Sequence, residues 1–143
     1  MMAMGVPADT HAGSGGWPDP AGLRALVAQA LRDGHLAEGL GGFALQDWMT
    51  LARREGVLAL LEWRLRTNGG WDALPGEFRD AAATGVRQAA AQWLVRKREL
   101  QRLDGALAEH GLRCLLLKGN ALAFWLYPQP YLRDSGDIDL LLA

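Results

Sequence analysis

The hydrophobic pattern of this chain changes period at Gly111, and that change limits the folds open to it. Before Gly111 the apolar residues recur every three or four positions, as on the buried stripe of a helix. After it, residues 112–117 form a short apolar run bounded by Gly111 and Lys118-Gly119. A run that short between such boundaries suits a buried strand. Residues 120–127 are long enough for two helical turns, and Pro128-Gln129-Pro130 reads as a loop. Residues 137–142 alternate and then become apolar throughout, which predicts a second strand. The expected fold class is α+β, with a helical N-terminal region followed by a strand, a short helix, a loop and a second strand.

The helical part divides at its glycines. Asp19-Pro20 is a start signal, with Asp as N-cap and Pro at the first helical position. Leu23, Leu26, Val27, Ala30 and Leu31 then share a face, and Gly34 is the expected stop. Residues 35–43 are glycine-rich and read as a loop. A helix over 45–54 buries Trp48, Leu51 and Ala52, and Gly56 separates it from a helix over 57–66 carrying Leu58, Leu61 and Leu65. Asn68-Gly69-Gly70 ends that one. Residues 76–110 read as one long helix with a stripe of Trp93, Leu100, Leu103 and Leu107, and Gly85 marks a place where it could break. Trp48, Trp63 and Trp93 are expected in the core, and Trp125 is expected to pack, although it could also flank a base. The expected units are a disordered tail over 1–18, a helical region over 19–110 and a separate unit over 111–143.

Composition excludes more than it selects. The formal net charge is −1, so no global field draws the chain to nucleic acid or an anionic membrane. An Arg-heavy, Ala- and Gly-rich usage points to a GC-rich genome rather than to a binding role. The single cysteine, Cys114, allows no intrachain disulfide and is expected as buried filler. No charged leader or membrane-length apolar run is visible, so a cytoplasmic location is expected. Arg96-Lys97-Arg98 and Arg102, interleaved with Glu99 and Asp104, read as a solvated helix face. His11, His35 and His110 lack metal-ligand spacing, and no P-loop motif occurs.

The chemistry-bearing stretch runs from Leu117-Lys118-Gly119-Asn120-Ala121-Leu122 through Tyr127-Pro128 and Arg133 to Gly136-Asp137-Ile138-Asp139-Leu140-Leu141. On a strand, residues two apart share a face, so Asp137 and Asp139 would present their carboxylates together, roughly 6–7 Å apart at Cα. Ile138 and Leu140 would point into the core behind them. Neighbouring carboxylates repel unless a divalent cation sits between them, and Mg²⁺ favours such oxygen ligands while keeping waters for phosphates. The same pair also fits two exposed acids on a strand reaching solvent. Gly119-Asn120 opens a helix after a strand, where backbone N–H groups bind phosphate and glycine admits its close approach. Gly136 gives access beside Asp137.

These residues resemble the nucleotidyltransferases of the DNA polymerase β type, which carry a Gly-Ser or Gly-Gly turn after one strand and an Asp-x-Asp or Asp-x-Glu on the next. The run is closer still to an uncharacterised bacterial branch reading Leu-Lys-Gly-x-Ala-Leu, then Tyr-Pro, Arg and Gly-Asp-Ile-Asp-Leu-Leu. Trp48, Leu51-Ala52, Gly56-Val57 and Leu60-Leu61 add a weaker likeness over residues 45–143. The resemblance implies a polymerase β-like mixed sheet and a metal-dependent nucleotidyltransferase. Its implied cofactor is Mg²⁺ or Mn²⁺ at Asp137 and Asp139, and its substrate an NTP. Lys118, Gly119, Asn120, Arg133 and Gly136 would face the nucleotide. Lys118 could instead simply end a strand at the surface, and Arg133 could instead pair with Asp134 or Asp137. Asn120 stands where relatives often have Ser. The acceptor is unknown: a small molecule, sugar, peptide or protein. The family's fold adds a third carboxylate from a later strand, and no residue here can be assigned to it. Two strands are also too few for a stable sheet, so a truncated chain or a piece of a longer protein is expected. The alternative function is an inactive remnant whose helices serve as an interaction module.

Overall fold

The structure, a computed structural model, describes residues 20–36 and 38–142. The expected tail over 1–18 and the Asp19 cap lie outside the described residues. Four helices come first: α1 (Pro20–Asp33), α2 (Leu45–Arg54), α3 (Leu58–Thr67) and α4 (Gly76–Glu109). Then follow β1 (Cys114–Leu116), α5 (Lys118–Leu126) and β2 (Leu140–Leu142), with short 3-10 turns at Glu38–Gly42 and Pro130–Leu132. The fold is α+β, mostly helical, with a two-stranded antiparallel sheet among the described residues. No described helix is long and apolar enough to cross a membrane.

The helical stripes meet as their spacing predicts. Leu23, Val27 and Ala30 of α1, Trp48, Leu51 and Ala52 of α2, and Leu58, Leu61 and Leu65 of α3 share one buried cluster with Phe78 and Ala82 of α4. Trp63 is only half-buried. Polar ties lock the ends. The Arg64 guanidinium donates to the carbonyls of Leu31 and Arg32 at 2.8 and 2.6 Å, capping α1 where its dipole is negative. The Trp48 indole N–H donates to the Leu40 carbonyl at 2.9 Å, inside the segment expected as open loop. That bond is one reason a 3-10 turn forms there.

No break occurs at Gly85: α4 is continuous over 34 residues, about 51 Å at helical rise. A side-chain carbon at Gly85 would lie 2.3 Å from Cδ2 of Leu58. The glycine thus admits α3 to close range, and tertiary packing offsets its poor propensity. The C-terminal half of α4 carries the rest of the chain. Trp93 meets Phe124 of α5 edge to face, with ring centroids 5.1 Å apart. Beyond them Leu100 and Leu103 border an apolar hollow of about 330 Å³ shared with Leu116 and Leu140 of the sheet.

The strands are shorter than expected, three residues each in place of 112–117 and 137–142. Their register pairs Cys114 with Leu142, Leu115 with Leu141 and Leu116 with Leu140. Asp137 therefore precedes the strand expected to carry it, and so does Asp139. Ile138 and Leu140 are half-buried rather than sunk in a core, and so is Cys114, whose Sγ lies 3.9 Å from an Asp104 carboxylate oxygen. Trp125, expected to pack, is 88% exposed. The buried face of α5 is formed by Asn120 and Ala123 instead.

Candidate active site

Backbone pairing brings the two halves of the motif together. The Leu117 N–H donates to the Asp139 carbonyl at 2.9 Å, carrying the antiparallel register one step past Leu116 and Leu140. The next residue, Lys118, then lies beside Asp139, and its Nζ is 3.2 Å from Oδ1. Lys118 takes a left-handed backbone conformation, with φ 48°. For a residue with a Cβ this costs roughly 1–2 kcal/mol.

The approach of residues 133–137 to the start of α5 rests on polar contacts. Asn120 is 1% exposed, and its Nδ2 donates to the Asp137 carbonyl. The Ser135 hydroxyl donates to the same carbonyl at 3.3 Å. A side-chain carbon at Gly119 would lie 2.6 Å from Oγ of Ser135, so only glycine fits the turn at this separation. Arg133 pairs with neither Asp134 nor Asp137. Its Nε donates to the Gly119 carbonyl at 3.2 Å, and its guanidinium lies 5.9 Å from the Tyr127 ring centroid. The side chains of Asn120 and Arg133 thus brace the turn. The Asp137 carboxylate is exposed, and the space where a Gly136 side chain would stand is open.

The helical region holds this loop from behind. Leu132 is 1% exposed, and the turn that carries it packs against α3, α4 and α5. Asp134 abuts Gly56, where an added side-chain carbon would sit 3.0 Å from its Cβ. Between α4 and the loop runs an open groove of about 690 Å³, walled by Gln92, Val95, Arg96 and Glu99 on one side and Gly136 and Ile138 on the other. Arg96, expected on a solvated face, is half-buried in that wall, whereas Lys97 and Arg98 are exposed. Hydrogen bonds from Arg102 hold the Glu99 carboxyl below its ordinary value of 4.5. Sequence reasoning did not single out Ser135, Leu132 or the groove. Each matters through contacts with residues distant in the chain, and spacing carries no signal of them.

Asp137 and Asp139 supply hard oxygen donors at an open surface, a chemistry that suits a cation keeping several of its waters. Among the described residues no cluster of three or more His, Cys, Asp or Glu side chains is placed to hold a metal. Other oxygen ligands would come from water and from phosphate. Neither the curated proteins nor the solved structures yield a match. A family model described as an uncharacterised nucleotidyltransferase matches residues 42–143. The match takes in α2 to α4 as well as the Lys118–Asp139 contact, and with most of its length covered this chain belongs to that nucleotidyltransferase family.

Proposed function

We propose that this chain contributes the metal- and phosphate-binding part of a nucleotidyltransferase of the DNA polymerase β type, from the bacterial branch of those enzymes, with the sheet extended as in that fold. The reaction transfers a nucleoside monophosphate from an NTP to an acceptor. An acceptor nucleophile attacks the α-phosphorus, the bond to the bridging oxygen breaks, and pyrophosphate leaves. Asp137 and Asp139 would hold Mg²⁺ or Mn²⁺, and the cation would supply charge neutralisation for the phosphoryl transfer. The Lys118–Gly119 turn that opens α5 would present backbone N–H groups to phosphate, buried Asn120 holds the acidic loop against that turn, and Gly136 keeps the approach open. Lys118 adds a positive charge at the same turn. Arg133 acts on the nucleotide indirectly, by holding the Gly119 carbonyl and so the orientation of the turn. The groove along α4 offers room for the remainder of the nucleotide or for the acceptor. Catalysis then comes mainly from positioning and charge neutralisation.

One observation carries this reading. Asn120 and Ser135 both hold the Asp137 carbonyl, so the glycine turn and the acidic loop form one unit with the Asp137 carboxylate outward. The test is binding of ATP and GTP with Mg²⁺ or Mn²⁺, comparing the chain with a double Asp137→Ala and Asp139→Ala variant. Metal-dependent binding that disappears in the variant is expected. Binding that persists unchanged would remove the assignment of these two acids.

A further inference from the structure

Lys118 combines two features that a simple surface lysine does not need. Its backbone is left-handed, at φ 48°, in a place where glycine would be less strained. Its ammonium lies 3.2 Å from Oδ1 of Asp139, one of the two acids assigned to the metal. The residue before it is tied by its N–H to the Asp139 carbonyl, so the strained residue is held directly beside that acid. Strain of this kind persists where surrounding contacts impose it, and it clusters at ligand sites.

We propose that Lys118 is an exchangeable counter-ion: it neutralises Asp139 while no metal is bound, and yields that carboxylate to the incoming cation. This rests on the assignment of Asp137 and Asp139 as metal ligands. The exchange is one cation for another, so Asp139 keeps a positive partner in both states. Exposure favours the exchange, because the Lys118 side chain is 73% exposed and can swing away, whereas Asp139 at 29% stays in place. The displaced ammonium remains beside Gly119, where the phosphates of the nucleotide would lie. Metal arrival at Asp139 and phosphate capture by Lys118 are thereby coupled. The lysine opposes the metal alone and assists the metal with its nucleotide.

That sign reversal separates the device from an ordinary surface ion pair. The experiment titrates the full chain with Mn²⁺, followed by calorimetry and by the electron paramagnetic resonance of free Mn²⁺. It is run without nucleotide and again with a non-hydrolysable ATP analogue. Lys118→Met should bind Mn²⁺ alone about two- to fivefold tighter, the range expected on removing an exposed competing ion pair. It should bind the Mn²⁺–nucleotide complex about tenfold weaker or more, as when a charge-assisted hydrogen bond is lost. Lys118→Gly, which relieves the backbone while removing the ammonium, should shift both affinities in the same directions and guards against a folding defect in the first variant. Unchanged or weaker Mn²⁺ binding in both variants, with the wild type binding and Asp139→Ala not, overturns the exchange and leaves the metal site standing. Absence of Mn²⁺ binding in the wild type, with and without the nucleotide analogue, overturns both.

Discussion

The helical region and the segment after Gly111 are both rich in large apolar residues, yet they bury them to different degrees. In α1 to α3 the stripes close on one another, and Trp48, Leu61 and Leu65 lose nearly all contact with solvent. After Gly111 the cross-strand partners Leu115 and Leu141 are both exposed, as are Leu142, Leu126 and Trp125. A helix satisfies its own backbone and needs only one apolar stripe covered. A strand needs lateral neighbours in register and, even in an antiparallel sheet, a layer covering at least one face. The two regions therefore divide the work. The helices form a platform, and the loop over 133–139 is fastened to that platform by Leu132 and to α5 by the contacts of Gly119, Asn120, Arg133 and Ser135.

If burial sets the energetic weight of each region, large side chains in the two should differ widely in what their loss costs. Trp48→Ala should destabilise the chain by about 3–5 kcal/mol, because it empties a fully buried site and frees the Leu40 carbonyl. Trp125→Ala, at an exposed site, should stay within about 0.5 kcal/mol. Urea unfolding of the two variants decides it, and equal costs would refute the division.

A smaller effect sharpens the boundary between platform and site. Gly119→Ala forces a carbon against Ser135, at a cost of about 1–3 kcal/mol. The damage should stay local: nucleotide binding falls while the helical circular dichroism is kept. Adding Ser135→Gly removes the opposing atoms and should restore part of the stability. No recovery in the double variant would show that the turn is not limited by this contact.

The smallest effect lies on α4, beside the groove. Arg102 lowers the Glu99 carboxyl pKa, so the folded form binds the proton more weakly than the unfolded chain. The contribution is present above the ordinary value of 4.5 and fades as pH falls below it through the lowered folded value. Arg102→Ala should flatten that part of the stability–pH curve slightly, seen as a smaller loss of the urea midpoint between pH 6 and pH 4. An unchanged slope would show that this exposed pair adds nothing.

Much of the platform was legible in advance, because helical information is local. The expected span 45–54 matches α2, and Gly34 and Gly111 end their helices with positive φ; the expected stripes of α2 and α3 are buried, as are Leu23, Val27 and Ala30 of α1, while Leu26 and Leu31 are partly buried at its edge. The single long helix expected over 76–110 matches α4, and the place of Gly85 within it is explained only by Leu58, a residue on another helix. Trp125 and Cys114 misled because apolar character says nothing of whether a neighbour is present to cover them. The extent of the strands was overestimated because alternation marks a residue that could pair, whereas pairing needs a partner in register.

By itself the sequence determined the helices, the change of period at Gly111, the likeness to a nucleotidyltransferase motif and the identity of the acids at positions 137 and 139. All of these depend on residue type and short-range spacing. Folding of distant segments onto one another puts Asp137 and Asp139 on a braced loop before β2 and spends Asn120 and Arg133 on holding it. It also brings Lys118 across to Asp139. Those outcomes depend on which carbonyl, hydroxyl or carboxylate arrives from 14 to 21 residues away. No period or propensity along the chain encodes such an arrival.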